Sequence, residues 1–77
     1  MEWTDVRGAY TYAYVGLLFR LWVFTMSDQK YKVEIDSPIG GSVIFRLHGI
    51  ATLDEAKAAA VARARELLQE ALKELED

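Results

Sequence analysis

The chain has 77 residues, with nine Lys and Arg against twelve Asp and Glu, one histidine, one proline and no cysteine. That length allows one domain, and a 52% hydrophobic composition excludes disorder of the whole chain. The lack of cysteine excludes a disulfide scaffold, a cysteine–zinc finger and a cysteine nucleophile, and it fits a cytoplasmic protein.

The formal charge of −3 argues against nonspecific nucleic-acid binding, which needs a basic surface to neutralise phosphates. A domain this short buries only roughly 60% of its unfolded surface. Compactness must therefore come from dense packing, or from association with a partner or a second copy.

In chain order, residues 1–8 are expected to be loosely held, with Trp3 as an anchor. The run from Ala9 to Met26 is nearly uncharged and close to the ~18 residues at which a membrane span becomes plausible. Arg20 lies inside it, and a central Arg opposes insertion by about 2.5–3.5 kcal/mol. The run is also rich in Tyr, Thr, Val, Phe and Trp, which favour strands. Glu2, Asp5 and Arg7 precede it, so no positively charged leader region is present there. Strands, and no membrane span, are the expectation.

The hydrophobic period changes once, near residue 50, from two to 3.6. A first strand from Ala9 to Val15 places Tyr10, Tyr12 and Tyr14 on one side. Gly16 marks a turn or bulge. The second run, Leu17 to Thr25, is apolar on both sides, with Leu17, Phe19, Leu21 and Val23 at odd positions and Leu18, Arg20, Trp22 and Phe24 at even ones. Ser27-Asp28-Gln29 reads as a short hairpin turn. The third run alternates Tyr31, Val33 and Ile35 with Lys30, Lys32, Glu34 and Asp36. After the turn Ser37–Ser42, the fourth alternates Val43, Phe45 and Leu47 with Ile44, Arg46 and His48.

Thr52-Leu-Asp-Glu55 is a capping box, with Asp54 and Glu55 suited to the positive end of the helix dipole. The helix that follows, over residues 52–76, carries one broad apolar stripe: alanine-rich at first (Ala56, Ala60, Ala64), then leucine-rich (Leu67, Leu68, Leu72, Leu75). The alanines allow close approach to a sheet. The leucines fill a wider gap or reach a second chain. The expected fold is α+β: a single domain over 1–77, with a four-stranded, mainly antiparallel meander in 9–48 and one long C-terminal helix across its odd face.

Chemistry-bearing constellations are sparse. His48 stands alone, whereas a zinc site needs several ligands. Asp54 and Glu55 are accounted for by capping, and Glu34 and Asp36 by outward strand positions. No serine stands in a nucleophile elbow. Gly40-Gly41-Ser42 precedes a strand, not the helix a phosphate loop requires. No catalytic residue, metal or cofactor is expected.

The even face of the sheet is the candidate site. Tyr10, Tyr12, Tyr14, Arg20, Trp22 and Phe24, flanked by Lys32 and Arg46, combine the residue types enriched at interface hot spots. One helix covers only one face of a sheet. The competing expectation is that Trp3 and the N-terminal segment fold over the strip, or that the sheet bends to bury it. A single-stranded nucleic-acid reading is the less favoured alternative, since the RNP pattern is absent and the net charge is negative.

Over eight residues, Gly49-Ile-Ala-Thr52-Leu-Asp-Glu55-Ala56 resembles the strand-to-helix step of HicB-type antitoxins, in which a Gly precedes a Thr-x-x-Glu-Ala helix start. The antitoxin pattern continues with a shorter helix and a further strand, and the family is not assigned. In size, acidity and lack of catalytic groups the chain is similar to small phage-encoded inhibitors such as anti-CRISPR proteins, a resemblance of class without a motif.

The functional expectation is a noncatalytic protein-binding regulator or inhibitor that occludes its partner sterically. Glu66, Glu70 and Glu74 would steer a basic partner, such as a nucleic-acid-binding protein. A homodimeric scaffolding module is the alternative.

Overall fold

In the computed structural model, which describes residues 1–76, five antiparallel strands are followed by one helix, an α+β architecture. The strands are β1 (Thr4–Val6), β2 (Tyr10–Val15), β3 (Phe19–Thr25), β4 (Tyr31–Asp36) and β5 (Val43–Ile50), and the helix is α1 (Leu53–Glu76). Spatial order follows chain order, so the sheet is a simple meander with β1 and β5 at its edges.

The fifth strand is the main departure from expectation. Thr4–Val6 pairs with Tyr10–Tyr12, so part of the segment read as loosely held forms an edge strand. Its hairpin turns on Arg7 and Gly8, both at positive φ (53° and 72°), with Ala9 N–H donating to Val6 C=O at 2.9 Å. These two left-handed residues reverse the chain tightly, and with Ala9 they fill the three-residue connection between Val6 and Tyr10.

Leu17 also departs from its expected place in a strand. It lies in the Gly16–Leu18 loop that closes the β2–β3 hairpin between Val15 and Phe19, and its side chain is exposed.

The odd face carries the core, as parity requires. Leu21, Val23, Val33 and Ile35 are fully buried under Ala56, Ala60 and Ala64 of α1. The alanines recur every four residues and carry only a methyl group, so the helix axis lies close over β3 and β4. Thr52 caps the helix by accepting a hydrogen bond from Glu55 N–H at 3.1 Å.

Two cations extend the cover sideways. Lys57 Nζ lies 5.5 Å from the Trp3 ring centroid, and Arg63 Cζ 5.6 Å from that of Phe45. Trp3 thus packs on the helix side and does not fold over the tyrosines.

One helix cannot span five strands, and β5 shows the consequence. Leu47, an expected core residue, is 41% exposed. Register shifts at both ends of the β4–β5 ladder alter the simple parity. Near its start Val43 lies opposite Asp36, so it is not part of the helix-facing set. Near its end Gly49, at φ 74°, absorbs an extra residue, and even-numbered Ile50 lies opposite Tyr31 and packs against the core. No helix among the described residues is long and apolar enough to cross a membrane.

Candidate functional site on the open face of the sheet

The β2–β3 and β3–β4 registers assemble the even face row by row. Tyr10 lies beside Phe24 and Phe24 beside Lys32; Tyr12 beside Trp22 and Trp22 beside Glu34; Tyr14 beside Arg20 and Arg20 beside Asp36. Arg46 of β5 continues the middle row opposite Glu34. All eight residues expected to bind a partner (Tyr10, Tyr12, Tyr14, Arg20, Trp22, Phe24, Lys32 and Arg46) therefore lie on one surface. Among the described residues, α1 packs on the opposite face and no element covers this one.

The five aromatic rings form one contiguous cluster on β2 and β3. Trp22 is its hub, with ring centroids 5.5 Å from Tyr10, 5.4 Å from Tyr12 and 5.7 Å from Phe24, the last pair stacked at 11°. Tyr12 and Tyr14 meet edge to face at 5.9 Å. Offset and edge geometries are those that aromatic quadrupoles favour. Mutual packing leaves Tyr10, Tyr12, Trp22 and Phe24 half-buried, whereas Tyr14 at the end of the cluster is 52% exposed. The strip is a preorganised apolar floor, not a row of free side chains.

The other half of the face is a charged ladder. Arg20 grips Asp36 through Nε–H to Oδ1 at 3.1 Å and Nη2–H to Oδ2 at 2.7 Å, a bidentate pair. The Trp22 indole N–H donates to Asp36 Oδ1 at 3.2 Å. Hydrogen bonding from Arg20 holds the Asp36 carboxyl below the usual carboxylate range, against the opposing effect of burial, with the indole N–H adding to the depression. The same contact with Asp36 raises the Arg20 pKa. Glu34 accepts from Arg46 Nε–H at 3.1 Å and forms an ion pair with Lys32 at 3.1 Å. Arg20 and Lys32 also lie over Trp22 and Phe24 at 4.7 and 4.8 Å from the ring centroids, joining the charged and aromatic halves.

Glu66, Glu70 and Glu74 are not part of this surface. They lie on α1, in the layer across the sheet from the aromatics, and Glu66 and Glu70 flank Arg63 at 3.7 and 3.5 Å. The steering expected of them would therefore act from the layer opposite the aromatic strip.

Asp36 and Glu34 were missed as members of the site because they read only as outward strand positions. The hairpin turn held the signal: a β3–β4 hairpin centred on Asp28 pairs Arg20 with Asp36 and Trp22 with Glu34.

No protein-family model matches the chain, and neither a curated protein nor a solved structure is found to be similar to it.

Proposed function

We propose that the chain is a noncatalytic protein-binding module of the regulator or inhibitor kind, which docks through the open face of its sheet and occludes the surface it covers. The observation that carries this reading is the aromatic cluster centred on Trp22, which lies on a face with no covering element among the described residues. Such a cluster presents rigid rings with few rotamers to immobilise, so docking on it loses little conformational entropy. The ion pairs at Asp36 and Glu34 form a polar border on one side, in keeping with a hot-spot centre and a polar rim.

The same geometry gives less support to a single-strand nucleic-acid platform. Arg20, Lys32 and Arg46 are each engaged by a carboxylate, and the rings tilt against one another instead of standing free for bases to stack on.

The test uses Tyr12→Ala/Tyr14→Ala, a double variant on the β2 side of the cluster that leaves Trp22 and Asp36 in place, with circular dichroism to show that the fold is kept. Partners retained on the immobilised wild-type chain are identified by mass spectrometry, purified and titrated calorimetrically. The expected result is a Kd weakened by about tenfold or more in the variant. Equal affinity for wild type and variant would remove this face as the docking surface.

A further inference from the structure

The most exposed large apolar side chains gather at one end of the molecule. In the meander, the start of β1, the β2–β3 loop and the β4–β5 loop share one end, and α1, which starts at the opposite end after β5, runs towards it. Met1, Leu17, Leu18, Ile39, Leu72 and Leu75 all belong to these segments, and each is between 56 and 83% exposed. Two of the six, Leu72 and Leu75, lie on α1 in line with the half-buried Leu67 and Leu68.

The helix explains the gathering. Its 24 residues extend about 36 Å, whereas strands of six to eight residues extend about 20–26 Å. The buried alanines end at Ala64, yet the same stripe continues through Leu67, Leu68, Ala71, Leu72 and Leu75 with no sheet beneath its last turns. Beside the point of departure lies a small apolar groove of about 160 Å³, lined by Met1, Val15, Val61, Ala64, Arg65 and Leu68.

We propose that the overhanging C-terminal half of α1 is a self-association surface, on which the same half of a second copy packs antiparallel. Charge selects this occupant and this direction. Arg65 and Glu76 lie on the same flank of the leucine seam, and neither makes an ion pair among the described residues. An antiparallel pair crossing near residue 70 sets Leu68 of each copy against Leu72 of the other, and brings Arg65 of each near Glu76 of the other. A parallel pair would set the two Arg65 side chains on opposite sides of the seam, and the two Glu76 likewise, so neither would meet a partner of opposite charge from this flank.

The groove fits the same arrangement. A helix crossing near residue 70 delivers Leu75 beside Arg65 of the second copy, at the mouth of that copy's groove. The thin core supplies the need, since among the described residues the largest fully buried side chains are Leu21, Val23, Val33 and Ile35. The seam lies away from the aromatic face, so a dimer built on it leaves both aromatic faces free.

The test is the mass of the full chain by light scattering and sedimentation from ~10 µM to ~1 mM, a range that brackets dimers of modest affinity. The wild-type mass is expected to double with concentration, and Leu72→Glu to raise the dimer Kd by about tenfold or more. Leu72 is exposed, so the circular dichroism and Tm of dilute Leu72→Glu should match those of dilute wild type. Arg65→Glu and Glu76→Arg are each expected to weaken the dimer, and the charge-swapped double variant to recover it. A wild-type chain that stays monomeric throughout overturns the proposal, as does a dimer insensitive to Leu72→Glu or a double variant without recovery. A monomer that binds phosphatidylcholine vesicles through Leu72 and Leu75 overturns it in favour of a lipid surface.

Discussion

Trp22 and Asp36 are diagonal neighbours across the β3–β4 ladder, and the indole N–H of one donates to the carboxylate of the other at 3.2 Å. The Asp36 oxygen that accepts it also accepts Arg20 Nε–H at 3.1 Å. One nearly buried carboxylate therefore orients both the hub of the aromatic cluster and the cation that stacks on it. Asp36→Ala is expected to destabilise the fold by about 2–3 kcal/mol, since it leaves the Arg20 charge and the indole N–H without their partner. Urea unfolding followed by tryptophan fluorescence measures this. A loss below about 0.5 kcal/mol, the range of an ordinary surface substitution, would show that the cluster holds its geometry without Asp36.

The same carboxylate makes stability depend on acid. Arg20 holds the Asp36 pKa below its unfolded value of about 3.9. A depressed folded-state pKa means that the unfolded chain binds the proton first as pH falls. The contribution of Asp36 is thus present above the unfolded value and lost as pH drops through the folded one. Asp36→Asn should be less stable than wild type at neutral pH, and the gap should narrow as the wild type is taken below about pH 4. Melting curves of both chains between neutral pH and pH 2.5 test the sign. A gap that stays constant over this interval would mean that Asp36 does not titrate differently in the two states.

Much of this fold was legible because periodicity is a local signal. Alternation placed Leu21, Val23, Val33 and Ile35 on the core face and the tyrosines with Trp22 on the other, and the capping box marked the helix start at Thr52. What escaped depends on features that periodicity does not register. Thr4–Val6 is too short to show a period, and its turn uses an arginine at positive φ beside a glycine. The bulges of β5 reset parity through local backbone geometry, moving Val43 out of the helix-facing set and Ile50 towards the core. The aromatic site was legible as a set of positions, but the tie from Trp22 to Asp36 is a diagonal contact that only the paired strands reveal.

Helix docking should be sensitive to small increments of volume. Ala60 is fully buried, midway along the alanine row and above β3 and β4. Ala60→Leu improves nothing in helix propensity, and it forces three further carbons into the interval between helix and sheet. The expected cost is about 1–3 kcal/mol or more, typical of overpacking. Ala62→Leu, on the exposed side of the same turn, is the control and should be close to neutral. Thermal melts of the two variants suffice. Equal Tm values would mean that the helix rides above the sheet with room to spare.

The turn between β3 and β4 offers a substitution in the opposite direction. Met26 N–H donates to Lys30 C=O at 2.9 Å, Gln29 N–H donates to Met26 C=O at 3.0 Å, and Asp28 Oδ1 accepts from Lys30 N–H at 3.0 Å. This network holds Gln29 at φ 63°, in the left-handed region. There a Cβ crowds the backbone at a cost of about 1–2 kcal/mol, which glycine avoids. Glycine in turn loses more entropy on folding, by roughly 0.5–1 kcal/mol. Gln29→Gly is therefore expected to stabilise the chain by up to about 1 kcal/mol. Gln29→Val, whose branched side chain tolerates that region worst, should destabilise it. Because both changes fall on an exposed loop away from the core and the aromatic face, their difference in urea midpoint reports the backbone alone. A glycine variant less stable than wild type would show that the Gln29 side chain contributes more than its backbone conformation costs.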